Sequence, residues 1–290
     1  MLRCYSSAFL ILLCLCGCLA IPAGACTGVV IAGENTVVVG GNEDWTRFDS
    51  HVWAEAATDE AFGAVYFGYQ IRGEFGPRGR YWFEFQGVND QGLYFDTFGA
   101  PTLDNPNWEG KPSCSEHIEI TMMETCGTVV EAVDLLQSMD LSRYRSYDET
   151  IFRSNMTFFL ADRTGAAALV DADHVHWMED GVFVTTNFRP SNPSLGGWPC
   201  WRYRLAHDML ENDASPTVER VAEILDAAQF SCTLGYGSCT RYSVVCDLTA
   251  REAFLYCSGD FDYPARLDLE QLCRQGMERA PIENLVNGSL

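Results

Sequence analysis

Two β-branched runs, Thr27 to Ala32 and Thr36 to Gly40, flank the triplet Gly33-Glu34-Asn35 and read as a tight β-hairpin. With Glu34-Asn35 as the two-residue loop, Gly33 pairs with Thr36, and counting outwards sets Cys26 opposite Glu43, within one residue. Strand alternation then sends Asn42 and Asp44 to one face and Glu43 to the other. The same vocabulary continues downstream. Strands are expected at Ala64 to Tyr69, Tyr81 to Val88 and Leu93 to Phe98, the last two joined by Asn89-Asp90-Gln91-Gly92. A second hairpin, Met156 to Ala161 and Ala166 to Asp171, turns at Asp162-Arg163-Thr164-Gly165. Further strands are expected near His174 to Met178, Val182 to Thr186, Tyr242 to Leu248 and Ala253 to Cys257. Helices come in groups between them: Glu116 to Glu124, a run opened by the capping box Thr128-Val129-Val130-Glu131 and reaching Met139, Cys200 to Glu211, and Pro216 to Ala228 with Ser215 as cap. Blocks of strands with grouped helices describe an α+β protein carrying helices on the outer faces of its sheets, rather than a βαβ alternation.

Ahead of the hairpin, Met-Leu-Arg leads into an apolar run from Ala8 to Ile21, closed by Pro22 and Ala23-Gly24-Ala25. A positive start, a short apolar stretch and an A-x-A site make a signal peptide over residues 1–25, leaving residues 26–290 as one exported domain that begins at Cys26. The run is too short for a stable membrane span, which needs about 20 apolar residues. A rival expectation takes Leu15-Cys16-Gly17-Cys18 as a lipoprotein signal, with a binding module anchored at Cys18. The remainder holds no Pro/Gly/Ser-rich linker, charge block or internal repeat that would mark a second domain.

Charge narrows the partners. With 19 Lys+Arg against 40 Asp+Glu, the formal net charge of -21 argues against nucleic acid, because phosphate contact needs a basic surface. Removing the leader takes Cys4, Cys14, Cys16 and Cys18 and leaves an odd set: Cys26, Cys114, Cys126, Cys200, Cys232, Cys239, Cys246, Cys257 and Cys273. In an oxidising compartment eight of these can form four disulfides or stay as buried thiols, with Cys26 the natural odd one out. No C-x-x-C pair is present, and His174 and His176 stand at strand spacing, so no metal site is expected.

An N-terminal cysteine carries both a nucleophile and a base, since its α-amino group has a reference pKa near 8 and its thiol one near 8.5. The hairpin brings Asn42-Glu43-Asp44-Trp45 beside that terminus, where a carboxylate can hold the α-ammonium and aim it at the sulfur. Trp45, Phe48, Trp53, Tyr94 and Phe98 are candidates for an acyl pocket, although aromatics at strand spacing more often fill a core.

Cys26-Thr27-Gly28 followed by Gly41-Asn42-Glu43-Asp44-Trp45 resembles the opening of the N-terminal-nucleophile linear amide C–N hydrolases, the family of choloylglycine (bile salt) hydrolases and penicillin V acylases. The resemblance implies a four-layer αββα sandwich and hydrolysis of a small-molecule N-acyl amide through a thioester, with no cofactor. It implies Cys26 as nucleophile and Asp44 as the carboxylate on its amine. Asn187, in Thr185-Thr186-Asn187-Phe188, matches an oxyanion amide, and Arg241 matches an arginine near the amine. Asn89-Asp90-Gln91-Gly92-Leu93 matches a turn pointing to Phe98 or Gly99 as a second oxyanion donor, and Asn42 and Trp45 would line the substrate. Gly41 departs from the pattern: bile salt hydrolases and penicillin V acylases carry arginine there, and Arg47 is the nearest substitute. The Asn-Glu-Asp element also occurs in N-terminal-cysteine dipeptidases and isopenicillin-type acyltransferases, which stand as alternatives. A homo-oligomer is left open.

Overall fold

A computed structural model describes residues 26–45, 49–72, 80–101, 103, 108–115, 117–141, 156–172, 174–194, 199–230 and 239–288. Two antiparallel sheets face each other. The first hairpin is β1 (Thr27–Ala32) and β2 (Val37–Trp45), and Gly33 donates its backbone N–H to the Thr36 carbonyl at 2.8 Å, closing the loop at Glu34-Asn35. Thr27 pairs with Asn42 and Ala32 with Val37, so Cys26 lies across from Glu43 as the count from the turn requires.

The second sheet begins with β3 (Ser50–Glu55), which the sequence reading passed over, then β4 (Ala64–Arg72), β5 (Arg80–Asn89) and β6 (Leu93–Gly99). It continues through β7 (Met156–Asp162), β8 (Ala167–Asp171) and β9 (His174–Trp177). The chain returns to the first sheet with β10 (Val182–Thr185), β11 (Cys239–Asp247), β12 (Glu252–Cys257) and β13 (Asp260–Asp268), then closes the second with β14 (Met277–Pro281). The six-stranded order is β10-β1-β2-β11-β12-β13, and the eight-stranded order is β14-β3-β4-β5-β6-β7-β8-β9.

Helices α1 (Ile118–Thr125) and α2 (Val129–Ser138) cover the outer face of the larger sheet; α3 (Trp201–Asn212) and α4 (Val218–Ala227) cover the smaller. Two short helices, α5 (Leu269–Gln275) and α6 (Ile282–Val286), flank β14. Side-chain alternation builds the layers. Val29 and Ile31 of β1 point out to Val221, Ile224 and Leu225 of α4, while Val30 points in and joins Val52, Val65 and Phe67 from the facing sheet. The result is an αββα sandwich, in agreement with the expected fold.

The capping box at α2 is present, with Thr128 Oγ1 accepting from the Glu131 N–H and Glu131 Oε2 accepting from the Thr128 N–H at 3.0 Å. The α4 cap is Thr217 rather than Ser215, because the Ser215 hydroxyl is already committed to Asp213 at 2.5 Å. Strand β13 eluded the pattern because it is an exposed acidic edge containing Pro264, a composition that edge strands accept and central strands do not.

A four-disulfide framework does not form among the described cysteines. Cys26, Cys126, Cys200, Cys246, Cys257 and Cys273 are free thiols, and Cys239 is disulfide-bonded. The reason is layering: Cys26, Cys246 and Cys273 lie between the sheets, whereas Cys114 and Cys126 lie under α1 and α2. No helix of the described residues is long and apolar enough to cross a membrane.

Candidate active site

Cys26 immediately precedes β1, next to the centre of the smaller sheet, with its side chain buried between the sheets. Its thiol donates to Glu43 Oε2 at 3.5 Å. Cys26, Glu43 and Tyr242 form a row on the inner face, since Glu43 stands opposite Tyr242 on β11. Burial holds the thiol well above its ordinary range, and the charges of Glu43, Asp44 and Asp96 push it further the same way. Only the Asp44 backbone N–H works in the opposite direction.

Asn42 and Asp44 face the helices, as strand alternation requires. Asn42 donates to the Leu225 carbonyl at 2.8 Å and accepts from the Ser243 hydroxyl at 2.6 Å, so it anchors β2 to α4 and β11 and does not line a substrate site. That corrects its expected role: both ends of its amide are committed to structure. Asp44 Oδ1 accepts from Thr240 Oγ1 at 2.5 Å, while its Oδ2 has no hydrogen-bond partner among the described residues. Burial pushes the Asp44 carboxyl up to about 7, against the opposing pull of Arg202, the Thr240 hydroxyl and Arg241. A buried carboxylate oxygen with nothing to accept from is costly.

Arg202, on α3, is the residue that sequence reasoning missed. Its guanidinium donates to the Cys26 carbonyl, to Thr27 Oγ1 at 3.0 Å and to Asn187 Oδ1 at 3.1 Å. Asn187 in turn donates through Nδ2 to the Gly99 carbonyl at 2.8 Å. The loop carrying Asn187 is fixed by buried Arg189, which pairs with Asp171 at the end of β8 and donates to the Pro101 carbonyl at 2.5 Å. Asn187 and Gly99, the two expected oxyanion elements, are thus brought together. The Phe98 ring is not part of that arrangement: it is core, packed edge-on to Phe159 at 6.0 Å beneath Gly28, where a Cβ would come within 2.9 Å of it.

Arg241, whose charge also acts on Asp44, donates through Nε to the Trp45 carbonyl at 2.7 Å, and burial lowers its pKa. Trp45 packs on Tyr69 and Phe85, with ring centroids at 6.3 and 5.7 Å. Trp53 does not join the site: it faces α1 on the outer side, stacked on Tyr66 at 5.8 Å. Tyr94 is buried under the hairpin near Asp96, and Phe48 and Arg47 lie outside the described residues. Gly41 explains its own departure from arginine. A Cβ there would fall 2.2 Å from Asp96 Oδ2 and 2.6 Å from Gln86 Nε2, two groups hydrogen-bonded to each other at 2.7 Å.

Two groups of described residues bring three metal-capable atoms within 4.8 Å of one another: Glu84, His117 and Glu119 under α1, and exposed His207, Asp208 and Glu211 on α3. Both belong to the helical layers rather than to the space around Cys26.

No family model matches the sequence, and no curated protein matches it. Solved structures do. A mutant of the conjugated bile acid hydrolase from Clostridium perfringens superposes with a TM-score of 0.63 at 14% identity, covering 88% of this chain and 96% of that one. A second variant of the same hydrolase gives 0.65 at 14% identity over the same shares. Penicillin V acylase from Agrobacterium tumefaciens gives 0.60 at 17% identity, covering 86% of this chain and 87% of that one. The chain therefore has the αββα sandwich of these bile acid hydrolase and penicillin V acylase structures.

Proposed function

We propose that the chain is an exported cysteine amidohydrolase that becomes active when residues 1–25 are removed and Cys26 is the first residue. The observation that carries this reading is a buried free thiol at Cys26 that the Asp44 charge and backbone N–H act on, with Asp44 Oδ2 itself buried and without a partner among the described residues. The freed α-amine takes the thiol proton, and the thiolate attacks the carbonyl carbon of a linear amide. The tetrahedral intermediate collapses with cleavage of the C–N bond, the leaving amine departs with the proton from the α-ammonium, and the acyl group remains on Sγ as a thioester. Water, deprotonated by the same amine, releases the acid.

Each neighbour has a physical task. Asp44 holds the α-ammonium, Asn187 meets the developing oxyanion once it exchanges the Gly99 carbonyl for substrate, and Arg202 fixes Asn187 and the Cys26 carbonyl in register. Arg241 supplies positive charge beside Asp44. The bile acid hydrolase and penicillin V acylase that share the fold are consistent with this chemistry.

The test compares three forms of the protein on a panel of N-acyl amides: the chain beginning at Cys26, the same chain with Cys26→Ser, and a chain with residues added before Cys26. The first is expected to be active and the other two inactive. Full activity in the extended form would mean that the α-amine is not the base.

A further inference from the structure

Glu43 and Asp44 are neighbours on β2 and face opposite sides of the sheet, yet the residues across from them on β11, Tyr242 and Thr240, would share a face in a regular strand. The register shift between Thr240 and Tyr242 makes the difference. Arg241 is the extra residue of a β-bulge, which turns the Thr240 side chain to the face of Asp44 while Tyr242 stays opposite Glu43 on the inner face. Arg241 anchors the kink, its Nε donating to the Trp45 carbonyl at 2.7 Å and its own carbonyl accepting from the Ser258 N–H at 2.8 Å. Bulges re-aim side chains, and this one delivers a hydroxyl: Thr240 Oγ1 donates to Asp44 Oδ1 at 2.5 Å, with both residues buried.

The Thr240 hydroxyl is itself held. It accepts from the Phe230 N–H at 2.8 Å, and the Thr240 N–H donates to the Phe230 carbonyl at 3.0 Å, so one residue fixes both its backbone and its side chain. A hydroxyl has one proton and an ionised carboxylate can only accept, so that proton goes to Asp44. Among the described residues Thr240 is the only hydrogen-bond donor to the carboxylate, whose Oδ2 is buried and takes no bond there. A carboxylate turns readily about its last torsion, and a fixed donor on one oxygen stops that rotation. We propose that Thr240 is a positioning residue for the amidase reaction: by fixing Oδ1 it presents Asp44 to the α-amine of Cys26 in one orientation, with Oδ2 as the oxygen that meets the amine. The proposal rests on the amidase reading above.

The charges around Asp44 set its ionisation more than its direction. Arg202 on α3 and Arg241 on β11 pull its carboxyl down against burial, and the Cys26 thiol and Tyr69 of the facing sheet are the other titrating groups on which its charge acts. The Thr240 bond works with the arginines and adds what they lack, a required angle. The Asn42–Ser243 pair, on the same face of the sheet, shows the contrast. Both ends of the Asn42 amide are committed, to Leu225 and to Ser243, whereas Asp44 keeps one oxygen in reserve. A hydroxyl needed only to close the backbone would be satisfied by Phe230 alone.

Thr240→Val keeps the shape and removes the hydroxyl, and Thr240→Ser keeps the hydroxyl. Both are compared with the wild-type chain beginning at Cys26, on an N-acyl amide that the wild type cleaves. Thr240→Val is expected to lower kcat by about 10–100-fold with KM changed only a few fold, and to move the acid limb of the kcat/KM profile up by roughly one pH unit. The sign follows from the lost bond: a hydrogen bond to the charged form favours that form, so without it Asp44 ionises at higher pH. Thr240→Ser is expected to restore most of both effects. A folded Thr240→Val with wild-type kcat and pH profile overturns the proposal, whatever it loses in stability. Should Thr240→Val fail to fold, Thr240→Ala takes its place, and equal kcat in Thr240→Ala and Thr240→Ser overturns the proposal as well. A wild-type chain that cleaves no N-acyl amide overturns the amidase reading, and the proposal falls with it.

Discussion

The Cys26 thiol and the Glu43 carboxylate face each other across the first hairpin, Sγ to Oε2 at 3.5 Å, both buried between the sheets. A negative charge at that distance keeps the sulfur protonated in the resting protein, so a base and a compensating positive charge are both needed before it attacks. Glu43→Gln removes a like charge and is expected to lower the thiol pKa. The rate of alkylation of Cys26 by iodoacetamide, followed against pH, should shift to lower pH in the variant. An unchanged profile would mean that Glu43 does not act on the sulfur.

Arg202 touches three acceptors at once, the Cys26 carbonyl, Thr27 Oγ1 and Asn187 Oδ1. Truncation to methionine leaves those acceptors buried and lets Asn187 rotate away from the oxyanion position. Both Arg202→Met and Asn187→Ala are expected to lower kcat by about 100-fold with KM changed only a few fold. Arg202→Lys keeps the charge but lacks the planar fork that reaches all three acceptors, and should fall between the wild type and the methionine variant. Loss confined to KM in steady-state assays would remove Arg202 and Asn187 from the transition state.

Asp44 ties catalysis to stability. With Cys26 held in a peptide bond, burial raises the Asp44 carboxyl to about 7, above its unfolded value, so the folded state binds a proton that the unfolded state gives up. The stability associated with that proton is complete below the unfolded pKa and is lost as pH rises through about 7, by an amount on the order of a few kcal/mol. Urea denaturation of the full chain between pH 4 and 8 should show this decline, and Asp44→Asn should reduce it, leaving the part that His117, whose pKa is also raised, adds above its ordinary value. In the chain beginning at Cys26 the new ammonium favours the carboxylate, and the decline should flatten. Equal slopes in all three proteins would show that Asp44 neither pays this burial cost nor meets the amine.

Gly41 is the fourth test. Its Cα hydrogen faces the Asp96–Gln86 pair at a distance that leaves no room for a methyl group. Gly41→Ala is expected to cost about 1–3 kcal/mol in thermal or chemical denaturation, because both neighbours are buried and bonded to each other. A neutral result would show that the pair shifts freely, and would make arginine at this position sterically acceptable.

The site was legible in the sequence wherever it is local. The two-residue turn at Glu34-Asn35 fixes the register of the hairpin, and the register alone brings Glu43 opposite Cys26 and turns Asp44 to the helix side. Nothing comparable points to Arg202, which stands on α3, 175 residues after Thr27, and reads in sequence as one more polar residue on an amphipathic surface. The turn at Asn89-Asp90-Gln91-Gly92 pointed to a backbone N–H of Phe98 or Gly99 whatever the side chain; the Phe98 ring lies in the core against Phe159, and the Gly99 carbonyl accepts from Asn187. Strands β3, β13 and β14 were missed; β13 is an acidic edge strand whose one buried residue is Leu267.

The account stands on the α-amine and thiol of one residue. The most direct measurement is mass spectrometry of the active protein quenched during turnover of an N-acyl amide. The predicted result is a chain whose first residue is Cys26, carrying the acyl group on the Cys26 sulfur as a thioester. An active protein in which Ala25 is still joined to Cys26, or in which the acyl group sits on any other residue, would contradict it.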